Sequence, residues 1–476
     1  MKKNAKRLVS IVLVLMMTFT LSLTAFAASE VSRVSVTING AADTSRGFCW
    51  YTDEKAGSDL QIAPVGEDLA SAPVIEGSGY TAMEKYVHKV KAENLLPGTK
   101  YAYRVGDSES GEWSDIGYFT TADKNEDKAD FIVIADVQAS NEENFKMAAD
   151  VMKKAVETMP GYEFTVNLGD FVNDCTNEEW DSYFRNFAFA NMNSTIIPVT
   201  GNHEGNLQWF KFNNMFNIGT PADCVTMTGC YYSFDWGDAH FAVLNSNDMY
   251  PMSMAQVNWL KNDMNASSAQ WKIVLMHRAL YSAGKNINKP DTLVMRNVLL
   301  PVIDELGIDV VFAGHDHMYF RTETVKGDKV IEAETVTEMY NGVETTFALN
   351  PEGTTHILPS TAGTKRYSVN EDAAYPILES AAIARDTEEG GVFATVSLDS
   401  EHFVYNAYLV NDETKETQLI DSYAIKKTER EAPVEDYENL PTDHITTFAQ
   451  NIVNFVREII LVLVKYITSI LPGMIF

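Results

Sequence analysis

The chain has 476 residues, 45% of them hydrophobic and 22% charged, which is ordinary globular composition for two or more domains with sizeable cores. The charge is lopsided, 37 basic against 66 acidic residues for a net of −29. So acidic a surface repels polyanions and excludes a nucleic-acid polymer as a partner, while small phosphorylated substrates stay admissible because bound cations reverse the field locally.

Met1 to Ala27 reads as a secretory signal. Lys2, Lys3, Lys6 and Arg7 precede an apolar run from Leu8 to Leu23, and Ala25-Phe26-Ala27 places the cleavage after Ala27, with an uncleaved anchor as the alternative. The mature protein is therefore expected to be secreted or held at the cell surface. Four cysteines are too few for a disulfide scaffold; Cys224 and Cys230 are close enough in sequence to staple a loop, and Cys49 and Cys175 are expected as free thiols.

Residues 29–122 alternate apolar and polar positions in short runs, among them Val34 to Ile38, Gly47 to Tyr51, Tyr86 to Val90 and Tyr101 to Val105. Turn residues punctuate them at the spacing of an antiparallel sandwich, so this part is expected to be an all-β domain. Leu95-Leu96-Pro97-Gly98-Thr99-Lys100-Tyr101 resembles the corner of a fibronectin type III domain, which implies that the Tyr101 hydroxyl ties back to nearby backbone. His88 is expected on the solvent face of its strand.

After a charged connector, 122–128, the pattern changes to strand, helix, strand. Helical spacing predicts helices over Glu142 to Met159, Asn177 to Met192, Ser253 to Asn265 and Asp291 to Leu306. Between them lie short, largely β-branched runs, each ending in a group able to bind a metal or move a proton. Phe131 to Ala135 ends at Asp136, Phe164 to Leu168 at Gly169-Asp170, and Ile196 to Thr200 at Gly201-Asn202-His203-Glu204. Ile273 to Met276 ends at His277, and Val310 to Ala313 at Gly314-His315-Asp316-His317. Runs of this kind fill a sheet covered on both faces, and in layered α/β proteins the ligand sits at the carboxyl ends of the strands, where all five polar tips would gather. Tyr231 to Phe234 and His240 to Leu244 flank Asp235-Trp236-Gly237-Asp238 as a hairpin, with His240 expected as a satisfied core histidine.

Residues 428–444 read as a polar linker and 445–471 as a helix. At 100° per residue Asn451, Asn454, Arg457, Glu458, Lys465, Thr468 and Ser469 fall on one side, the pattern of an amphipathic helix. Charges inside a span are costly, so docking on a membrane surface, a partner or the body of the protein is preferred to crossing.

The ordered blocks Asp136, Gly169-Asp170, Gly201-Asn202-His203-Glu204, His277 and Gly314-His315-Asp316-His317 resemble those of the calcineurin-like metallophosphoesterases. His315 to Arg321 together with the preceding sandwich is most similar to the purple acid phosphatase branch, over roughly Val31 to Lys427. The resemblance implies a sandwich followed by an α/β layered domain, 128–427, of two mixed sheets flanked by helices. It also implies two metal ions, of Fe, Mn or Zn, with Asp170 bridging, Asp136 and His317 on one ion, and Asn202, His277 and His315 on the other. His203 is assigned to orienting the phosphate or protonating the leaving oxygen, with Glu204 setting its tautomer.

Two positions depart from the family pattern. Gln138 stands where many relatives have histidine, and Asn173 where the purple enzymes carry the tyrosine whose phenolate gives their colour, so a colourless enzyme is expected. Either amide could coordinate weakly or only bond a water. Arg278, Tyr281 and Lys285 occupy the stretch where the plant enzymes have a histidine pair; phosphate contact and packing are both open for them. The leading expectation is hydrolysis of small phosphomonoesters. A phosphodiesterase or nucleotidase on the same core, and a surface-binding protein with a vestigial metal site, are the alternatives.

Overall fold

A computed structural model describes residues 30–428 apart from 124, 206–208, 223, 225, 227–228 and 249–253, and omits the side chains of 205 and 209–211. The signal, the linker beyond 428 and the amphipathic helix expected from the sequence lie outside the described residues.

The sandwich forms as its alternation predicts. One layer pairs β1 (Ser32–Thr37), β2 (Arg46–Thr52), β6 (Lys85–Ala92) and β5 (Ser78–Ala82). The other pairs β4 (Val74–Glu76), β3 (Asp59–Pro64), β7 (Lys100–Asp107) and β8 (Glu112–Trp113), with β9 (Gly117–Thr120) also on β7. Val36, Phe48, Trp50, Leu60, Tyr103 and Phe119 fill the space between the layers. The corner is tied as the sequence implies: the Leu96 N–H donates to the Tyr101 hydroxyl at 2.8 Å.

His88 is not on a solvent face. It is fully buried, stacked on Trp50 with ring centres 4.9 Å apart, and its ring nitrogens lie 2.7 Å from the Thr52 hydroxyl and 2.9 Å from the Ser58 hydroxyl. Burial pushes its pKa down to about 4. His88 lies on the same strand face as Val90 and Ala92 and opposite Trp50 on β2, so the ring points between the two layers, where Thr52 and Ser58 satisfy its nitrogens.

The connector does not separate two sheets. β10 (Ala129–Ile134), β11 (Phe164–Asn167) and β12 (Thr195–Pro198) run parallel, and β1 joins β12 in parallel through Thr37 opposite Ile196. The sandwich layer thereby continues into a 12-stranded sheet, extended beyond β10 by the antiparallel strands Gly390–Leu398, His402–Asn411 and Thr417–Lys426 and the hairpin Glu334–Tyr340 with Val343–Leu349. Arg46 fastens the junction: fully buried, it donates to Thr195 Oγ1 at 2.9 Å and to the carbonyls of Ala42, Ser45 and Thr120.

The second sheet has seven strands. β13 (Tyr232–Trp236) and β14 (Ala239–Val243) form the expected hairpin, followed by β15 (Trp271–Arg278), β16 (Val310–Gly314), Thr355–Pro359, β17 (Tyr319–Thr322) and Ala381–Arg385. The two sheets pack face to face through rings from both: Phe164 lies 5.7 Å from Phe241 and 5.8 Å from Phe234. Helices cover the outer faces. Helix Glu142–Thr158 starts at an Asn141 cap, and helix Asn177–Asn191 at a Thr176/Glu179 capping box. Helix Met254–Ala266 and helix Pro290–Leu306, begun by a proline and ended by Gly307 at φ 61°, cover the second sheet. All four cysteines are thiols, so the Cys224–Cys230 staple is not formed.

Candidate metal centre

Five strand ends carry the site: β10, β11 and β12 of the first sheet, β15 and β16 of the second. Because the sheets pack face to face with their parallel strands buried, their carboxyl ends meet at one edge. The chain turns abruptly there. Asp136, Gln138, Asp170 and His315 all adopt positive φ, of 51°, 36°, 54° and 74°. Non-glycine residues held in this region cost on the order of 1–3 kcal/mol each and persist where the surroundings over-determine them. Gly314 has a separate cause: a Cβ there would lie 2.5 Å from an Asp136 oxygen.

The turns bring two sets of donors together. Ligand atoms of Asp170, His277 and His315 lie within 4.8 Å of one another, as do those of Asp136, Asp170 and His317, so Asp170 belongs to both sets. Asn202, beginning the short helix Asn202–Gly205, places its amide oxygen 3.1 Å from His277 Nε2. Thus every residue predicted as a metal ligand, Asp136, Asp170, Asn202, His277, His315 and His317, reaches this one edge.

The donor set suits metal ions. His277 donates from Nδ1 to the Leu168 carbonyl at 2.8 Å, and His317 from Nδ1 to the Lys365 carbonyl, which leaves both Nε2 atoms turned towards carboxylates: Asp170 at 3.3 Å for His277 and Asp136 at 3.3 Å for His317. Committing one ring nitrogen to a carbonyl in this way fixes tautomer and orientation of a ligating histidine. His315 Nε2 is buried without a hydrogen-bond partner. Burial, followed by the neighbouring His277 and Arg278 charges, pushes its pKa well down, towards the neutral form a metal requires. Burial works against ionising Asp170, yet His277 and His203 hold its carboxyl below the usual range. Mixed imidazole and carboxylate donors match Zn, Fe or Mn better than Mg or Ca.

His203 and Glu204 part company. His203 stands half-exposed at the rim, its N–H donating to Asp170 Oδ1 at 2.9 Å and its Nε2 3.9 Å from Asp170 Oδ2. Its Nδ1 donates to the Asn173 carbonyl and its Nε2 meets the Gln138 amide. Glu204 does not set this tautomer, which corrects the expectation. Its fully buried carboxylate accepts from the backbone N–H groups of Asp170 at 2.9 Å, Phe171 at 2.9 Å and Gly201 at 3.0 Å. Burial, reinforced by the Asp170 charge, pushes its pKa up to about 8. Glu204 therefore clamps the turn that presents Asp170.

Of the residues at departing positions, Asn173 turns its side chain to Asp174 at 2.8 Å, while Gln138 stays at the site. Arg278 is taken up by Asp291 at 2.7 Å and by Asn247. Tyr281 is buried against Arg296 and donates to Asp328 at 2.5 Å, a packing role. Sequence reading missed Tyr367, which stacks on His317 with centroids 4.5 Å apart, and Asp316, which accepts from Ser282 and Asn286 and so braces the block between the two histidines. The Asp316 position inside the His-Asp-His block was a usable signal; Tyr367, in an irregular loop, offered none.

The sequence pattern of the Calcineurin-like phosphoesterase family matches residues 129–319, and that of the Purple acid Phosphatase N-terminal domain matches residues 31–121. Purple acid phosphatase 21 of Arabidopsis thaliana is 28% identical over 257 residues, 51% of this chain and 55% of that protein. Acid phosphatase type 7 of Homo sapiens is 23% identical over 347 residues, 66% of this chain and 74% of that protein. The match thus spans little more than half of the plant relative. Among solved structures, a purple acid phosphatase, PPD1, from yellow lupin (Lupinus luteus) seeds has a TM-score of 0.69 at 16% identity, covering 87% of this chain and 77% of that one, and so shares the fold. With both patterns matched in order along one continuous fold, the chain belongs to the calcineurin-like metallophosphoesterases, in the branch that carries a purple acid phosphatase N-terminal domain.

Proposed function

We propose that the protein is an exported phosphoesterase using two metal ions to hydrolyse small phosphomonoesters. The observation that carries this reading is the pair of donor sets sharing Asp170. On it, Asp136 and His317 hold one ion, Asn202, His277 and His315 the other, and Asp170 both. Metal ions bound there supply Lewis acidity towards phosphoryl oxygens and acidify water near neutral pH.

The chain's own residues do the rest. Leu168 and Lys365 carbonyls keep the His277 and His317 rings aimed, and Glu204 holds the Asp170 turn against the crowding of like charges. In the overall reaction a water oxygen adds to phosphorus, the bond from phosphorus to the ester oxygen breaks, and that oxygen takes a proton. His203 is the half-exposed imidazole at the rim, oriented by the Asn173 carbonyl, and is assigned to deliver that proton or to bind the phosphate. Export rests on the N-terminal signal pattern, and membrane-surface or partner docking on the amphipathic 445–471 stretch.

The test is elemental analysis of purified protein together with phosphate release from p-nitrophenyl phosphate and bis-p-nitrophenyl phosphate. About two metal ions per chain, and faster release from the monoester, are expected. With Asn173 in place of a tyrosine and turned away, the protein should show no strong visible charge-transfer band. Absence of stoichiometric metal, or activity on the diester alone, overturns the reading.

A further inference from the structure

Gln138 and Asn173 are the two positions at which the chain departs from the family pattern, and both meet on one ring. The Asn173 carbonyl accepts from His203 Nδ1–H, and the Gln138 amide faces His203 Nε2. A neutral imidazole that spends its Nδ1 proton on a carbonyl keeps its lone pair on Nε2, so Gln138 Nε2 is the donor in this contact. Gripped at both nitrogens, the ring cannot turn about its Cβ–Cγ bond without giving up both partners.

Gln138 is held there against local preference. Its side chain is buried, and its φ of 36° lies in the left-handed region, which a residue with a Cβ keeps only where its surroundings over-determine it. Its Oε1 is buried with no hydrogen-bond partner among the described residues, an unfavourable state for an amide oxygen. Backbone bonds fix the segment. The Gln138 N–H donates to the Asp170 carbonyl at 2.7 Å and the Asn173 N–H to the Ala139 carbonyl at 3.2 Å, and Ala139 pairs with Val172 in parallel. One short bridge thus carries the amide at one ring nitrogen and the carbonyl at the other. An amide also holds Nε2 either way round, donating to its lone pair through Nε2 or accepting its N–H through Oε1, so the grip survives a proton transfer at that nitrogen.

We propose that Gln138 is a positioning residue for His203, its amide spent on the imidazole at the rim and not on a metal ion. This rests on the phosphoesterase reading above and on the part given there to His203. Fixing the ring where the substrate meets it speeds the bound complex, so the effect belongs in kcat.

The test uses the full-length, metal-loaded protein as Gln138→Met, His203→Ala and the double variant, on an alkyl phosphate and on p-nitrophenyl phosphate. Methionine keeps the length and the apolar stem of glutamine and loses its amide. Gln138→Met is expected to lower kcat on the alkyl phosphate about tenfold with KM within about twofold, and to share the His203→Ala preference between the two esters. The same result is expected from Gln138→Leu. Once His203 is gone Gln138 has no ring to hold, so the double variant should match His203→Ala within about twofold. Elemental analysis should find as much metal in Gln138→Met as in the wild type. Losses that multiply in the double variant, a wild-type kcat in Gln138→Met, or a metal ion missing from it overturn the positioning role and leave the phosphoesterase reading intact. A His203→Ala variant as active as the wild type on both esters overturns the part given to His203 and this inference with it.

Discussion

Two clusters in this molecule combine histidine with aspartate, and they are built in opposite senses. At His240 the ring nitrogens diverge: Nδ1 lies 2.7 Å from Asp235 Oδ1 and Nε2 2.9 Å from Asp263 Oδ2. Each nitrogen has its own carboxylate, the ring bridges the β13–β14 hairpin to helix Met254–Ala266, and no nitrogen lone pair is left over. Burial lowers the His240 pKa, but the two carboxylates outweigh it and raise the value to about 9. At the strand ends the nitrogens converge instead. His277 and His317 surrender Nδ1 to carbonyls, and His315 keeps Nε2 buried and unbonded. Diverging onto separate carboxylates, a histidine forms a structural ion pair; converging on shared carboxylates, several histidines form a ligand set.

The greatest contrast between the clusters is expected from Asp170→Asn. It removes the carboxylate common to both donor sets, and phosphate release should fall by roughly a thousandfold or more, with loss of bound metal on elemental analysis. Asp263→Asn, made in parallel, should leave turnover within about twofold, since His240 touches no ligand set. Near-equal losses in the two variants would erase the distinction drawn here.

Next in size is His203→Ala, expected to slow release from an alkyl phosphate by roughly a hundredfold or more. A leaving oxygen that needs no proton should suffer less, so the loss on p-nitrophenyl phosphate should be markedly smaller. Equal losses on both esters would remove the proton-donor assignment and leave phosphate binding. A smaller effect, about tenfold on activity with weaker metal retention, is expected for Glu204→Gln, which keeps one acceptor for the turn's three N–H groups.

Much of this centre was legible before any coordinates. Each strand run ended in a chemically capable residue, and a buried parallel strand has few other reasons to stop at Asp136, Asp170 or His277. His240 was also legible as satisfied, although its partners are carboxylates rather than apolar neighbours. What stayed hidden was tertiary. Glu204 required the Gly169–Phe171 turn to come within reach of a side chain far along the chain, whereas His88 shares its strand face with Val90 and Ala92 of the core and was readable from the alternation. The parallel pairing of Thr37 with Ile196, which fuses sandwich and catalytic layers into one sheet, joins segments whose sequences carry no mark of each other. Alternation fixes which face a residue occupies, not what later covers that face.

The smallest expected effect belongs to the closed cluster and appears in stability. Because the folded pKa of His240, about 9, exceeds the ordinary value of 6.5, the folded state binds the proton more tightly than the unfolded chain. The contribution is fully present below pH 6.5 and fades as pH rises from there through about 9. Its size is on the order of 2 kcal/mol, trimmed by solvent screening at the exposed Asp235. In a chain of this length that corresponds to about 2–3 °C in Tm. Thermal unfolding of the wild type and of His240→Asn between pH 6 and 9.5 separates the term: the wild-type advantage should be largest at pH 6 and shrink steadily towards pH 9.5. A gap between the two Tm values that stayed constant across the range would assign His240 a packing role with no proton in it, and the ion-pair half of the contrast with the strand-end cluster would have to be given up.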